Sequence, residues 1–365
     1  MGSMTPPNYR IASIPADGIG PEVISAAITV VNKLAEVLKT FTIEFEHIPW
    51  GTAYYKEHGR YASEDVLDVL RGYDAALFGA VGAPDVPDHI SLWGLLLAIR
   101  GPLQLYANVR PVRTFPGTKP YIRFDNGAEE KIDWLLVREN SEGEYAGQGG
   151  RSHLKQPWET ATEVAIFTRV GIERIMRFAF EAARGRPKKH LTVVTKSNSM
   201  RNGLVLWDEI AAEVGKEYPD VKVDKMLVDA MTIRMVTQPH SMDTIVGTNL
   251  HMDILSDLAA ALAGSIGVAP SSNLDPTRKN PSVFEPVHGS AFDITGKGVA
   301  NPVAAFWSAA EMLRWIGEGK AADFLMTSVE NVCEKGILTA DLGGKARTDD
   351  VTKAVCDELE RLGKA

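Results

Sequence analysis

Apolar and polar positions along the first third of the chain change period several times. Residues 9–14 carry a strand signal and residues 41–48 alternate with a period of two, as in strands whose successive side chains face opposite ways. Between them Ile24, Ala27, Ile28, Val31, Leu34 and Leu38 recur at helical spacing and predict a helix over 21–38, with Pro21 in its first turn. An apolar run bounded by Asp74 and Gly82 predicts the next strand at 75–81. Strand and helix in alternation indicate an α/β organisation.

From 106 to 263 the patterns read as a second lobe, with strands at 132–137, 191–195, 221–228 and 244–246 and helices around 163–184 and 203–215. Helical periods return at 303–316, 321–333 and 349–362. No repeat, low-complexity tract or Pro-rich linker marks a boundary.

At 365 residues, 45% hydrophobic and 24% charged, the chain has the composition of a globular enzyme with two domains and a large core. A formal charge of −8 argues against a nucleic-acid or anionic membrane surface, so an anionic ligand needs a local group of cations. Arg100, Arg110 and Arg138 are the candidates, whereas Arg113 and Arg123 read as structural ion pairs. The two cysteines, Cys333 and Cys356, lie far from every chemical motif and form no C-x-x-C site. The segment 258–270 is too short to span a bilayer and the N-terminus has no signal pattern, so a cytoplasmic protein without membrane contact is expected. Met1-Gly-Ser ahead of Met4 reads as an expression remnant.

Two segments carry candidate chemistry. Asp253 and Asp257 stand four residues apart at the start of an apolar helical run, so both carboxylates leave one face. Like charges at that spacing destabilise a helix by roughly 0.2–0.5 kcal/mol, and a divalent cation held by hard oxygen ligands would compensate. A solvated acidic first turn is the alternative. The second segment, 284–302, combines small residues with His288 and polar side chains, and its Asp293 suits a ribose hydroxyl pair. An ordinary surface loop is the alternative there. Residues 17–22, between a strand and a helix, resemble the beginning of a dinucleotide fingerprint but lack its third glycine, which argues against a standard Rossmann fold.

These segments, with Pro15-Ala-Asp-Gly-Ile-Gly-Pro-Glu22, Arg100 followed by Tyr106-Ala-Asn-Val-Arg-Pro111, Val137-Arg-Glu-Asn140 followed by Tyr145, Thr195-Lys-Ser-Asn198 and Val228-Asp-Ala-Met231, occur in the order found in one family. The chain resembles the β-decarboxylating dehydrogenases that act on isopropylmalate, isocitrate, tartrate or D-malate. The resemblance implies the two-domain α/β fold of that family, with a discontinuous large cofactor-binding domain, 4–105 with 264–365, and a smaller one, 106–263, carrying the dimer interface and metal ligands.

It also implies roles. Asp229, Asp253 and Asp257 would hold Mn²⁺ or Mg²⁺, and Arg100, Arg110 and Arg138 the carboxylates of a small hydroxy diacid. Lys196 would be the base and Tyr145 the acid that returns a proton to carbon after CO₂ is lost. In a homodimer with shared sites, Lys196 and Asp229 come from the second subunit. Asn198, Glu285, His288, Gly289, Ser290, Ala291, Asp293 and Asn301 match cofactor positions. An acidic Asp293 favours NAD⁺ over NADP⁺, since it would repel a 2′-phosphate. The family often uses a monovalent cation such as K⁺.

Substrate choice is expected in the stretch His89-Ile-Ser-Leu-Trp-Gly-Leu-Leu-Leu-Ala-Ile99. Gly94 and Leu96 occupy the places of a Ser-x-Asn arrangement expected for isocitrate. Trp93 resembles the tartrate and D-malate group, while Leu96 and Leu97 could line an alkyl pocket for 3-isopropylmalate, the second choice. A catalytically silent regulatory subunit is the alternative of a different class, and retention of every candidate site residue argues against it. Ala16 and Met252 depart from the smaller residues usual at their places in the family.

Overall fold

The apolar run bounded by Asp74 and Gly82 becomes a strand, Ala75–Ala80, buried along its whole length, which helices must cover. The computed structural model describes residues 6–122 and 131–364; Met1-Gly-Ser and Arg123 lie outside them. The described residues divide into two compact units, one within Met1–Leu105, Arg113–Tyr121 and Ala260–Ala365, the other within Tyr106–Val112 and Ile122–Ala259.

In the first unit the strands lie in the order Thr42–His47, Asn8–Ala16, Ala75–Ala80, Ser282–Pro286 and Pro270–Leu274. All pairs are parallel except the last, which is antiparallel. The Gly20–Leu38 helix buries Val23, Ile24, Ala27, Val30, Val31 and Leu34 and closes on Lys39 in the left-handed region. Ile14, Trp50, Tyr61, Phe78, Leu95 and Ile99 belong to one apolar core cluster. Arg113 pairs with Glu330 at 2.6 Å and stacks over Trp307.

In the second unit the order is Ala107–Arg113, Asp133–Glu139, Thr244–Gly247, His190–Thr195 and Lys222–Leu227. Helices Arg169–Arg184 and Gly203–Gly215 bury Ile175, Phe180 and Trp207. The helix expected from about 163 begins only at Arg169, because Thr168 caps it by accepting from Gly171 N at 3.0 Å. Residues ahead of it, with β-branched Thr160, Thr162, Val164 and Ile166 at alternate positions, instead form the strand Thr160–Ile166, paired antiparallel with Gly143–Ser152. Tyr145 thus stands on a strand, and the segment from Phe284 starts as the end of the Ser282–Pro286 strand. Val164, Ile166, Ile233, Val236 and Ile254 of this unit remain exposed.

The C-terminal helix Thr348–Gly363 is anchored through Glu358, whose side chain is 3% exposed and accepts from Asn331, Lys335 and Arg361 at 2.6–2.9 Å. Arg361 above all, with Lys335 and Asn331, brings its carboxyl down to about 2 against the opposing effect of burial. A depressed carboxyl stabilises the fold above the unfolded value near 4.3 and loses that contribution as pH falls toward 2. Because Lys335 and Arg361 are more than half exposed, the Glu358→Gln variant is expected to lose on the order of 2 kcal/mol at pH 7. Urea denaturation at pH 7 and at pH 3 checks this: the gap to the parent protein narrows at the lower pH, and an equal gap at both would refute it.

Candidate functional site

The second unit places four of the expected residues around one carboxylate. Alternation along Ala107–Arg113 buries Asn108 and Arg110 on one side, and Asn108 Oδ1 accepts from Arg110 Nε at 2.9 Å. Arg138, near the end of Asp133–Glu139, is 3% exposed and donates through Nε to Asn249 Oδ1 at 2.9 Å. The Asn249–Ala263 helix presents Asp253, Ser256 and Asp257 at three- and four-residue spacing.

Asp253 is the hub. Arg138 Nη1 pairs with its Oδ1, the Tyr145 hydroxyl donates to its Oδ2 at 2.7 Å, and Arg110 Nη2 stands 3.7 Å from Oδ1. Ser256 Oγ accepts from Arg110 Nη1 at 2.5 Å, and the same nitrogen lies 3.9 Å from Asp257. Desolvation is the main influence on Asp257 and lifts its carboxyl above the usual range; Arg110 opposes it and the Asp253 charge reinforces it. Two carboxylates on one face, Asp257 lifted chiefly by burial and further by the Asp253 charge, offer hard oxygen donors of the kind a divalent cation takes.

Lys196 follows the His190–Thr195 strand and pairs with Asp229 at 2.6 Å. Asp229 sits in the first turn of Val228–Thr237, and the Lys196 ammonium, donating to it, holds its carboxyl below the usual range. Asn198 is exposed in the turn after the strand. Among the described residues of one chain, no group of three or more His, Cys, Asp or Glu side chains could hold a metal ion, so Asp229 does not join the other two aspartates here.

In the first unit the 287–302 segment leaves the carboxyl end of Ser282–Pro286, on the same side of the sheet as the turns after Asn8–Ala16 and Ala75–Ala80, where open α/β sheets take ligands. Ala16 takes the left-handed backbone, φ 55°, that its turn demands. Buried Asp17 gathers these loops, accepting from Thr52 N, Thr52 Oγ1 and Gly82 N, each at 2.8 Å. Ile19 N donates to Ser290 O at 2.8 Å, and a Cβ on Gly18 would overlap the Ser290 carbonyl.

Burial pushes the buried His288 imidazole down, and its Nε2 has no partner among the described residues. Glu285 accepts from Asn273 at 2.7 Å, whereas Asn301 donates to Asp341 at 2.9 Å and accepts from Val303 N at 3.0 Å. Ala291 is left-handed at φ 42°, and Asp293 is exposed. The close backbone approach at Gly18, the orphaned imidazole nitrogen and the free-standing carboxylate suit a nucleotide with hydroxyl groups.

The stretch expected to choose the substrate folds as two short helices, Asp88–Gly94 and Leu96–Arg100. Arg100 is 4% exposed and Leu96 8%, but Trp93 is 45% exposed. A Cβ at Gly94 would stand 2.9 Å from Tyr61 Cδ2 and 3.3 Å from its Cβ, so this core tyrosine, 2% exposed, would have to shift to admit a side chain there. Met252 is accommodated by Gly247, where a Cβ would come within 2.9 Å of its sulfur. The partners Asn108, Asn249, Ser256 and Asp341 were not singled out in the sequence; Asn108 two residues from Arg110, and Ser256 three from Asp253, were the available signals. Among the described residues, no helix is long and apolar enough to cross a membrane.

The isocitrate/isopropylmalate dehydrogenase family profile matches residues 10–355. A probable tartrate dehydrogenase/decarboxylase of Agrobacterium vitis is 61% identical over 351 residues, covering 96% of this chain and 98% of that protein. The D-malate dehydrogenase (decarboxylating) of Escherichia coli strain K12 is 45% identical over 359 residues, 96% of this chain and 99% of its own. The crystal structure of isocitrate dehydrogenase from Methylococcus capsulatus matches with a TM-score of 0.87 at 35% identity, covering 96% of this chain and 99% of that one.

Proposed function

The chain belongs to the isocitrate/isopropylmalate dehydrogenase family, and from that premise we propose that it is a metal-dependent NAD oxidoreductase for a small hydroxy diacid, tartrate, D-malate or both, with decarboxylation where the substrate permits. The observation that carries this reading is the convergence of Arg138, Tyr145 and Arg110 on Asp253, with Asp257 beside it. Cations for carboxylates, oxygen ligands for a metal and a phenol for proton delivery then stand within one cluster.

Asp253 and Asp257, together with the partner subunit's Asp229, would hold Mn²⁺ or Mg²⁺. When bound, NAD⁺ supplies a hydride acceptor and the metal ion a Lewis acid for the substrate's oxygens. Lys196 removes the proton of the C2 hydroxyl. Tyr145 returns a proton to carbon after the carboxylate leaves as CO₂. Arg110 and Arg138 orient the substrate carboxylates, and Arg100, Trp93 and Leu96 supply the remaining substrate contacts. Glu285, His288, the 289–291 backbone, Asp293, Asn301 and Asn198 serve the cofactor, and Asp293 favours NAD⁺.

Lys196 and Asp229 act in the second copy's site, which makes the working unit a homodimer. The exposed Ile233, Val236 and Ile254 in the unit that carries them provide apolar surface for such an interface. Gly94 supports the substrate reading, since the Ser expected at that place for isocitrate would collide with Tyr61. Exposed Trp93, in contrast to buried Leu96, favours a small diacid over an alkyl-substituted one.

Initial rates of NADH formation with Mn²⁺ and K⁺, measured on D-malate, each tartrate isomer, 3-isopropylmalate and isocitrate, test the proposal. D-malate or a tartrate is expected to be fastest, with NAD⁺ preferred over NADP⁺. Preference for 3-isopropylmalate would move selection from Trp93 to Leu96 and Leu97. Absence of turnover on every diacid would favour the silent-subunit alternative.

A further inference from the structure

Lys196 lies in a turn whose backbone is held by Ser199 N and Met200 N, both donating to Lys196 O at 2.9 Å. The next residue supplies a side-chain tether: Ser197 Oγ donates to Asp208 Oδ2 at 2.6 Å. Asp208 stands on the Gly203–Gly215 helix, its side chain 15% exposed, and Lys225 Nζ from the Lys222–Leu227 strand donates to the same oxygen at 3.0 Å. Oδ1 is buried without a partner among the described residues. Both bonds thus fall on one oxygen, the one that faces the turn.

We propose that Asp208, acting through Ser197, is a positioning residue that fixes the turn aiming Lys196 at the substrate hydroxyl. The proposal rests on the reading of Lys196 as the base. The carboxylate joins helix, edge strand and turn, so the lysine's starting point is set by three elements, while its tip is held by Asp229. A charged acceptor on a serine hydroxyl makes a stronger and more directional tether than a neutral one. Packing gives Asp208 little other purpose. It borders a surface cavity of about 500 Å³ lined also by Val193, Ala211, Val223 and Lys225, so its truncation widens an existing opening instead of emptying a packed core.

The test uses the full-length enzyme and the best diacid from the rate comparison. Asp208→Ala is expected to lower kcat by about 10- to 100-fold, the size of effect produced by small misplacement of a catalytic group. KM for the diacid should stay within about twofold, because the arginines that bind it lie on other elements. Asp208→Asn keeps a neutral, weaker acceptor for Ser197 and gives up the Lys225 charge pair, so it should recover most of the kcat lost in Asp208→Ala, to within about threefold of the parent. Ser197→Ala should reproduce the Asp208→Ala loss, and the double variant should be no worse than either, since both cut one link.

A purely structural role would instead lower the thermal midpoint, move KM and give additive losses. Wild-type kcat in Asp208→Ala and Ser197→Ala, beside an inactive Lys196→Met control, would overturn the positioning role alone. Wild-type kcat in Lys196→Met would overturn the reading beneath it. Should Asp208→Ala fail to fold, Ser197→Ala carries the same test at the other end of the bond.

Discussion

Exchanging Lys196 for Met is expected to lower kcat by about 10³-fold with the KM for the diacid little changed, in the middle of the range for loss of a positioned acid or base. Met keeps the unbranched reach of the side chain but cannot accept a proton. Asp229, the partner left behind, is exposed in the single chain, so losing the lysine does not put that chain's fold at risk. Steady-state kinetics in saturating Mn²⁺, with small primary amines added as a substitute base, separate the chemical role from a structural one. Partial recovery with amine is the expected result. Recovery in the absence of any amine, or a kcat within a few-fold of the parent, would remove Lys196 from the mechanism.

The second large effect is expected at Asp253. Arg138, Tyr145 and Arg110 all depend on this carboxylate, so Asp253→Asn should disturb metal, substrate and proton delivery together. Groups outside the ligand set of a metal typically cost 10- to 100-fold in affinity when lost, so loss of a direct ligand should raise the Mn²⁺ needed for half-activity by more than about 100-fold. Some loss of stability should accompany it, because the 3% exposed Arg138 guanidinium keeps only a neutral partner at this position. The readout is Mn²⁺ titration of activity together with the Mn²⁺-dependent rise in thermal midpoint. An unchanged titration midpoint would show that Asp253 serves the arginines and not a metal.

The strands and helices that carry strong periodicity were legible in the sequence, as the helix from Pro21 to Leu38 illustrates: Ile24, Ala27, Val31 and Leu34 of its apolar stripe lie on the buried face of Gly20–Leu38, while Ile28 and Leu38 lie at its margin. Short or irregular elements were not. The strand Gly143–Ser152 mixes glycine with exposed side chains and Thr160–Ile166 is exposed along nearly its whole length, so no alternation of buried and exposed positions marks them. The helix Leu96–Arg100 spans little more than one turn, too short for a period to show. At the site, charged residues stood out by type and spacing. The groups that orient them, Asn249 for Arg138 and Asp208 for Ser197, lie 111 and 11 residues away, and only the folded chain joins them. Left-handed Ala16 was beyond sequence reasoning for a related reason, since the loops gathered by Asp17 impose its backbone.

The contact between Gly94 and Tyr61 also constrains how this chain could change over generations. A Ser at 94, the first requirement for an isocitrate-type pocket, meets a ring fixed in the core by its stack on Tyr55 and by Thr52. A Ser introduced at 94 therefore needs the Tyr61 ring to shift, or a second substitution to shorten it, and truncating a buried aromatic to Ala costs about 3–5 kcal/mol. Residues 61 and 94 thus form a coupled pair, in which the cost of changing one depends on the residue at the other.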